Sequence, residues 1–331
     1  MRSLILCILA SLALGEDAVT YAERLGWDKD DRVLILHMDD AGMSCDSNAG
    51  IQQVLEKGIA RSLSVMMPCA WVPQMVHYLK SHPGTDAGLH LTLTSEWHEY
   101  RWGPLAGILS VPGLVDGEGA MWSTVAAVVG HAKPDEVDRE IRAQLDRAEK
   151  MGFHPTHLDS HMGTLFASPE FLQRYIALGI EKQIPVMLPG GHDSYLQTET
   201  KADVAQARKI GEQLWQAGLP VLDDLHNSSY GWKAPSGARG DDAQLRRWRT
   251  QKYIETLRQL KPGVTMVIMH CTAPTEVFRN ISDSGDIRKA DMLAMLDPEF
   301  QEFLTQEHFI VSTWKELQER RRRVADTTRT K

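Results

Sequence analysis

Positive charge is in short supply: 36 Lys and Arg stand against 44 Asp and Glu, for a net charge of −8 with both signs spread along the chain. A general attraction to nucleic acid or anionic lipid is therefore not expected. The one basic run, Arg320 to Arg323, reads as a solvated helix end leading into a polar tail over 321–331. Cysteine is equally scarce. Cys7 lies in an apolar N-terminal stretch, which leaves Cys45, Cys69 and Cys271. An odd number without finger spacing excludes a disulfide framework and leaves one bridge or buried free thiols. Beyond that N-terminal stretch no run approaches the roughly 18 apolar residues of a membrane helix, so no transmembrane segment is expected. Arg2, the apolar stretch from Leu4 to Leu14 and the small residues before Glu16 have the order of a secretory signal peptide over 1–15. They predict an exported protein, periplasmic or secreted; a buried N-terminal helix or an uncleaved anchor is the alternative.

What is present is a globular composition, 43% hydrophobic, and a regular alternation of apolar and amphipathic segments. Residues 33–36 form a short, continuously apolar run, read as a strand buried on both faces, that leads into Asp39, Asp40 and Gly42 at a turn. Further strands are read at 63–67, 86–91, 185–188, 219–222, 264–269 and 309–312. Helical spacing fills the intervals, notably 48–57, 73–81, 135–151, 169–178, 202–217, 243–260 and 298–306. With no linker or change of composition, the expected class is α/β: a single (β/α) barrel-like domain over 28–320, distorted or incompletely closed, of about seven strands. Between 94 and 134 the alternation breaks. Segments this long without regular structure are commonly functional loops, and Trp97, Trp102 and Trp122 there would either stack on sugar rings or pack the loop.

Four polar clusters follow apolar strands: Asp39-Asp40, His90, His157-x-Asp159-x-His161 and His270. In a barrel the strand ends converge on one face, so these residues are expected to meet. Neighbouring side chains of an extended segment point opposite ways, which would let Asp39 and Asp40 do different jobs. An Asp with two His is a common set for a catalytic divalent cation. Singly, each cluster also reads as an acidic turn or a core histidine.

In this order the motifs resemble the YdjC-like (ChbG/HpnK-type) carbohydrate deacetylases. The resemblance rests on Asp-Asp-Ala-Gly after the first strand, Gly88-Leu-His-Leu-Thr-Leu, Pro155-Thr-His-Leu-Asp-Ser-His161 and a strand closing on His270, and extends from Val33 to Leu317. It implies a barrel-like α/β fold and metal-dependent removal of acetyl groups from N-acetylated amino sugars. It further implies Asp40, His90 and His161 as metal ligands, Asp39 as catalytic base and His270 as general acid. The substrate would be an acetylated amino-sugar oligosaccharide or glycan. The cofactor would be one divalent metal ion, Mg2+ or Zn2+; imidazoles favour zinc, and the resemblance also permits magnesium. His157 and Asp159 are expected to orient the ligands, because metal-bound histidines usually have their second nitrogen held. Two departures are visible: Ala41 where the family commonly has Phe, and Met162-Gly163-Thr164 where many members have further histidines. A metal-dependent hydrolase of another ester or amide, such as a phosphoester, and an exported carbohydrate-binding protein without turnover are the competing readings; the motifs lack the Arg or Lys clamps that a phosphoesterase would call for.

Overall fold

The structure, a computed structural model, describes residues 19–199 and 203–329. The expected signal peptide lies outside the described residues. At the other terminus the helix Trp314–Arg329 runs through most of the stretch read as a polar tail.

β1 (Arg32–Ala41) is buried from its second residue onward, as its apolar run requires. Around it lies a parallel sheet in the order β4–β3–β2–β1–β6–β5. Here β2 is Ser62–Val65, β3 Asp86–Leu91, β4 Leu158–Ser160, β5 Asp224–His226 and β6 Gly263–Met269. A last strand, β7 (Ile310–Val311), pairs with Val33 and Leu34 of β1, alongside the stretch that β2 does not reach. The sheet curls. Segment 185–190 takes the place of a further strand: Val186 bridges Leu158 of β4, and Pro189 bridges Leu222 just ahead of β5. The result is the barrel-like α/β domain expected, incompletely closed. The two strands read at 185–188 and 219–222 are the exceptions, since the first makes only isolated bridges and the second gives way to β5.

Alternation along β1 sorts its residues into two apolar clusters. Val33 and Ile35 join Val264, Met266, Ile268 and Trp314, whereas Leu34, Leu36 and Met38 join Ile51, Val54 and the other helix-borne residues. His37 continues the first row, so the polar site stands at the carboxyl end of the smaller cluster. Three helices occupy stretches to which no helix had been assigned: Val125–His131, Ser194–Glu199 and Gly285–Met295. Of the loop tryptophans, Trp102 is buried with its Nε1–H on Thr94 O, and Trp122 is half-buried with its Nε1–H on Gly113 O. Both pack the loop. No disulfide forms among Cys45, Cys69 and Cys271, the last two being buried.

Candidate active site

The carboxyl ends of β1, β3, β4 and β6 bring together Asp39, Asp40, His90, Asp159, His161 and His270, all of which the sequence had singled out. Asp40 has a φ of +65°, and the β1–β2 register slips between Met38 and Ala41. This corrects the expectation that the two aspartates point apart. The break in alternation turns both towards the same ring: Asp40 Oδ1 lies 3.4 Å and Asp39 Oδ2 3.8 Å from His90 Nε2.

His90 and His161 are each held by a carboxylate from behind. His90 Nδ1 lies 2.6 Å from Asp159 Oδ1, and His161 Nε2 lies 3.1 Å from both oxygens of Glu96. An ionised carboxylate only accepts, so these nitrogens carry the protons. The remaining ones, His90 Nε2 and His161 Nδ1, are left with lone pairs. They are 3.2 Å apart, and each is 3.4 Å from Asp40 Oδ1. That oxygen is buried and accepts no hydrogen bond.

Three lone-pair atoms at these distances repel unless a proton or a cation lies among them. Two donors bound at about 2.1 Å to one ion are about 3.0 Å apart at a right angle and about 3.4 Å apart at a tetrahedral angle. The triad therefore fits a divalent cation. Without one, protons take its place. Burial alone would lower His161, but Glu96 and Asp40 raise it to about 9, and Asp159 and Asp39 raise His90 well above its usual value against the same burial. Burial would raise Asp40; the Arg288 guanidinium, with the His161 and His90 rings, holds it well below the usual carboxylate range.

His270 stands across from the triad. Its Nε2 is 3.9 Å from Asp39 Oδ2, its backbone N–H donates to Asp291 Oδ2 at 3.0 Å, and its ring lies 4.9 Å from that of Tyr230. Burial lowers its pKa, with Asp40 opposing. Asp159 accepts from His90 Nδ1 on the side of the ring away from Asp40. His157 does not orient a ligand: its ring stacks on Trp314, its Nδ1 meets Thr156 Oγ1 at 3.0 Å, and its buried Nε2 has no hydrogen bond.

Three residues of the site escaped sequence reasoning. Glu96 sits in the tryptophan loop, His37 on β1, and Arg288 on the helix Gly285–Met295, to which no helix had been assigned.

A curled parallel α/β barrel with a buried Asp-His-His cluster at its carboxyl mouth defines a protein whose fold presents a site that could hold a divalent metal ion. Residues 33–306 match the YdjC family, described as YdjC-like protein, and the chain belongs to it. The chain is 30% identical over 290 residues to a carbohydrate deacetylase of Thermus thermophilus, covering 87% of this chain and 94% of that protein. It is 30% identical over 162 residues to a chitooligosaccharide deacetylase of Yersinia enterocolitica, covering 48% of this chain and 60% of that protein. An Enterococcus faecalis crystal structure, named for cellobiose-phosphate cleavage, has the same fold: TM-score 0.68 at 18% identity, over 87% of this chain and 99% of that one.

Proposed function

We propose that this protein is a metal-dependent carbohydrate deacetylase that hydrolyses the acetamide of an N-acetylated amino sugar. The observation that carries the reading is the convergence of Asp40 Oδ1, His90 Nε2 and His161 Nδ1 within 3.2–3.4 Å, with the far nitrogen of each ring already committed. A divalent cation held by these three, zinc or magnesium, would lower the pKa of water and polarise the acetyl carbonyl.

The chain's own residues handle the protons. Asp39, outside the triad, takes one from the attacking water. His270 gives one to the nitrogen as the C–N bond breaks, leaving acetate and a free amine. Its lowered pKa has it waiting in the neutral form, so the proton that Asp39 takes from the water passes to His270 and from there to the departing nitrogen, which returns both side chains to their starting states. At 3.9 Å the two side chains stand on either side of a gap that a reacting group can bridge. Trp97 and Tyr230, half-buried or more exposed near Arg288, are the aromatic surfaces offered to the sugar.

Arg288 gives a phosphoester no clamp, because its Nη1 is held by Asp40 at 2.6 Å. The test is acetate release from a panel of N-acetylated oligosaccharides, with and without chelator, alongside elemental analysis of protein purified without added metal. Release that stops on chelation and returns with zinc or magnesium is expected; chelator-resistant release or none overturns the reading. From the N-terminal stretch we further propose export, checked by sequencing the mature N-terminus after cell fractionation.

A further inference from the structure

His37 is a buried ionisable group to which neither the metal triad nor the two proton-handling side chains assign a task. It is wholly enclosed, 0% exposed, on β1 two residues before Asp39. Its Nε2 lies 3.0 Å from Asp159 Oδ2 and 3.1 Å from Asp39 Oδ1, and its Nδ1 lies 2.8 Å from Ser62 Oγ. Ser64 Oγ adds contacts of 3.1 Å to the same Nε2 and 3.2 Å to His90 Nδ1. Both carboxylates only accept, so Nε2 carries the hydrogen and shares it between them. The hydroxyl at Nδ1 can donate or accept, which keeps the ring satisfied whether neutral or charged.

The shared N–H joins two parts of the site with separate tasks. Asp159 spends its other oxygen on His90 Nδ1, and so belongs to the ligand array. Asp39 faces the gap before His270. Remove the donor, and two carboxylate oxygens that had converged on one atom are left buried with mutual repulsion, Asp39 Oδ1 keeping the long 3.5 Å contact from Ser64 Oγ. Asp39, at the irregular end of β1, is the one with room to turn.

We propose that His37 is a positioning residue: through one N–H it fixes the Asp39 carboxylate against Asp159, and thereby sets the base relative to the His90 side of the metal site. The proposal rests on the reading of Asp39 as base.

Three substitutions separate the donor from the space it fills. Gln places its amide nitrogen near the position of Nε2, Asn reaches only as far as Nδ1, and Leu fills volume without donating. With zinc-loaded protein, His37→Gln should keep kcat within about threefold of wild type. His37→Asn and His37→Leu should lose kcat on the order of 10–100-fold, with KM and zinc stoichiometry unchanged. Crystal structures of the Gln and Asn variants read the carboxylate directly: Asp39 in place in the first and rotated in the second. Equal kcat in Gln and Leu, loss expressed in KM or zinc content, or an unmoved Asp39 in the Asn variant overturns the proposal. Should the Leu variant fail to fold, the Gln–Asn comparison still decides. Asp39→Asn run in parallel keeps the two ideas distinct. Turnover retained there ends the reading of Asp39 as base; turnover lost there with a flat His37 series ends only the present inference.

Discussion

Arg288 Nη1 meets Asp40 Oδ2 at 2.6 Å, joining two buried side chains 248 positions apart. The contact divides one carboxylate between two functions. Oδ2 serves the guanidinium, and Oδ1 is left bare towards the His90 and His161 nitrogens. A charged carboxylate is thereby kept ionised in a place where burial alone would neutralise it.

Breaking this pair takes from a buried charge its closest partner and leaves it to the His90 and His161 rings. Arg288→Met should destabilise the metal-free protein by about 3–5 kcal/mol. Zinc supplies Asp40 with another cation, so the loss should be smaller in its presence. Urea melts with and without zinc measure both.

Metal loading and turnover should fail together in His90→Ala and in His161→Ala, because each removes one of three donors. Zinc stoichiometry and acetate release, measured on the same preparation, give the comparison; activity retained in either variant removes that residue from the triad.

Glu96 acts through His161, whose Nε2 it holds at 3.1 Å. Glu96→Ala should weaken zinc binding on the order of 10–100-fold by freeing the ring to turn or change tautomer. Calorimetric titration with zinc reads this.

Gly88 passes directly over His157. A Cβ there would fall 2.3 Å from His157 Nε2 and 2.6 Å from Cδ2. With that ring pressed on Trp314 it has no retreat. Gly88→Ala should cost about 1–3 kcal/mol or more and reduce activity by shifting His90, two residues along β3. Thermal melts and kcat report on it.

Glu140 accepts from the backbone N–H groups of Leu105 and Ala106 and from Gln144, and burial raises its pKa to about 7. The folded protein therefore holds a proton there that the unfolded chain releases near its ordinary value. Stability from this group is present in acid and lost as pH rises through about 7. Glu140→Gln should fall off less than wild type between pH 5 and 8, by an amount on the order of 1–3 kcal/mol. Urea midpoints across that range measure the difference.

What could be read from the chain followed from periodicity and local chemistry. Residues 33–36 announced a strand because an unbroken branched-apolar run has few other places to lie, and β1 contains it. Capping and spacing placed the helix at Pro298–Gln306 to the residue. The helix Gly285–Met295 went unread, since its buried face includes Arg288 and Asp291, charged residues that an apolar periodicity does not count. The strand read at 219–222 was displaced to Asp224–His226 for a related reason: its polar residues are buried by pairing with β6, which no local pattern records.

By itself, then, the sequence determined the alternation of strands and helices, and the polar residues that close β1, β3 and β6. Those depend on interactions within a few positions of each residue. Tertiary structure alone decided that Asp39 and Asp40 face one ring, that Glu96 holds the His161 imidazole, that Arg288 shares Asp40, and that His157 lies behind the site. Each of these depends on a backbone torsion or a contact between distant strands and loops, made only when the sheet has curled and water has left the space between them.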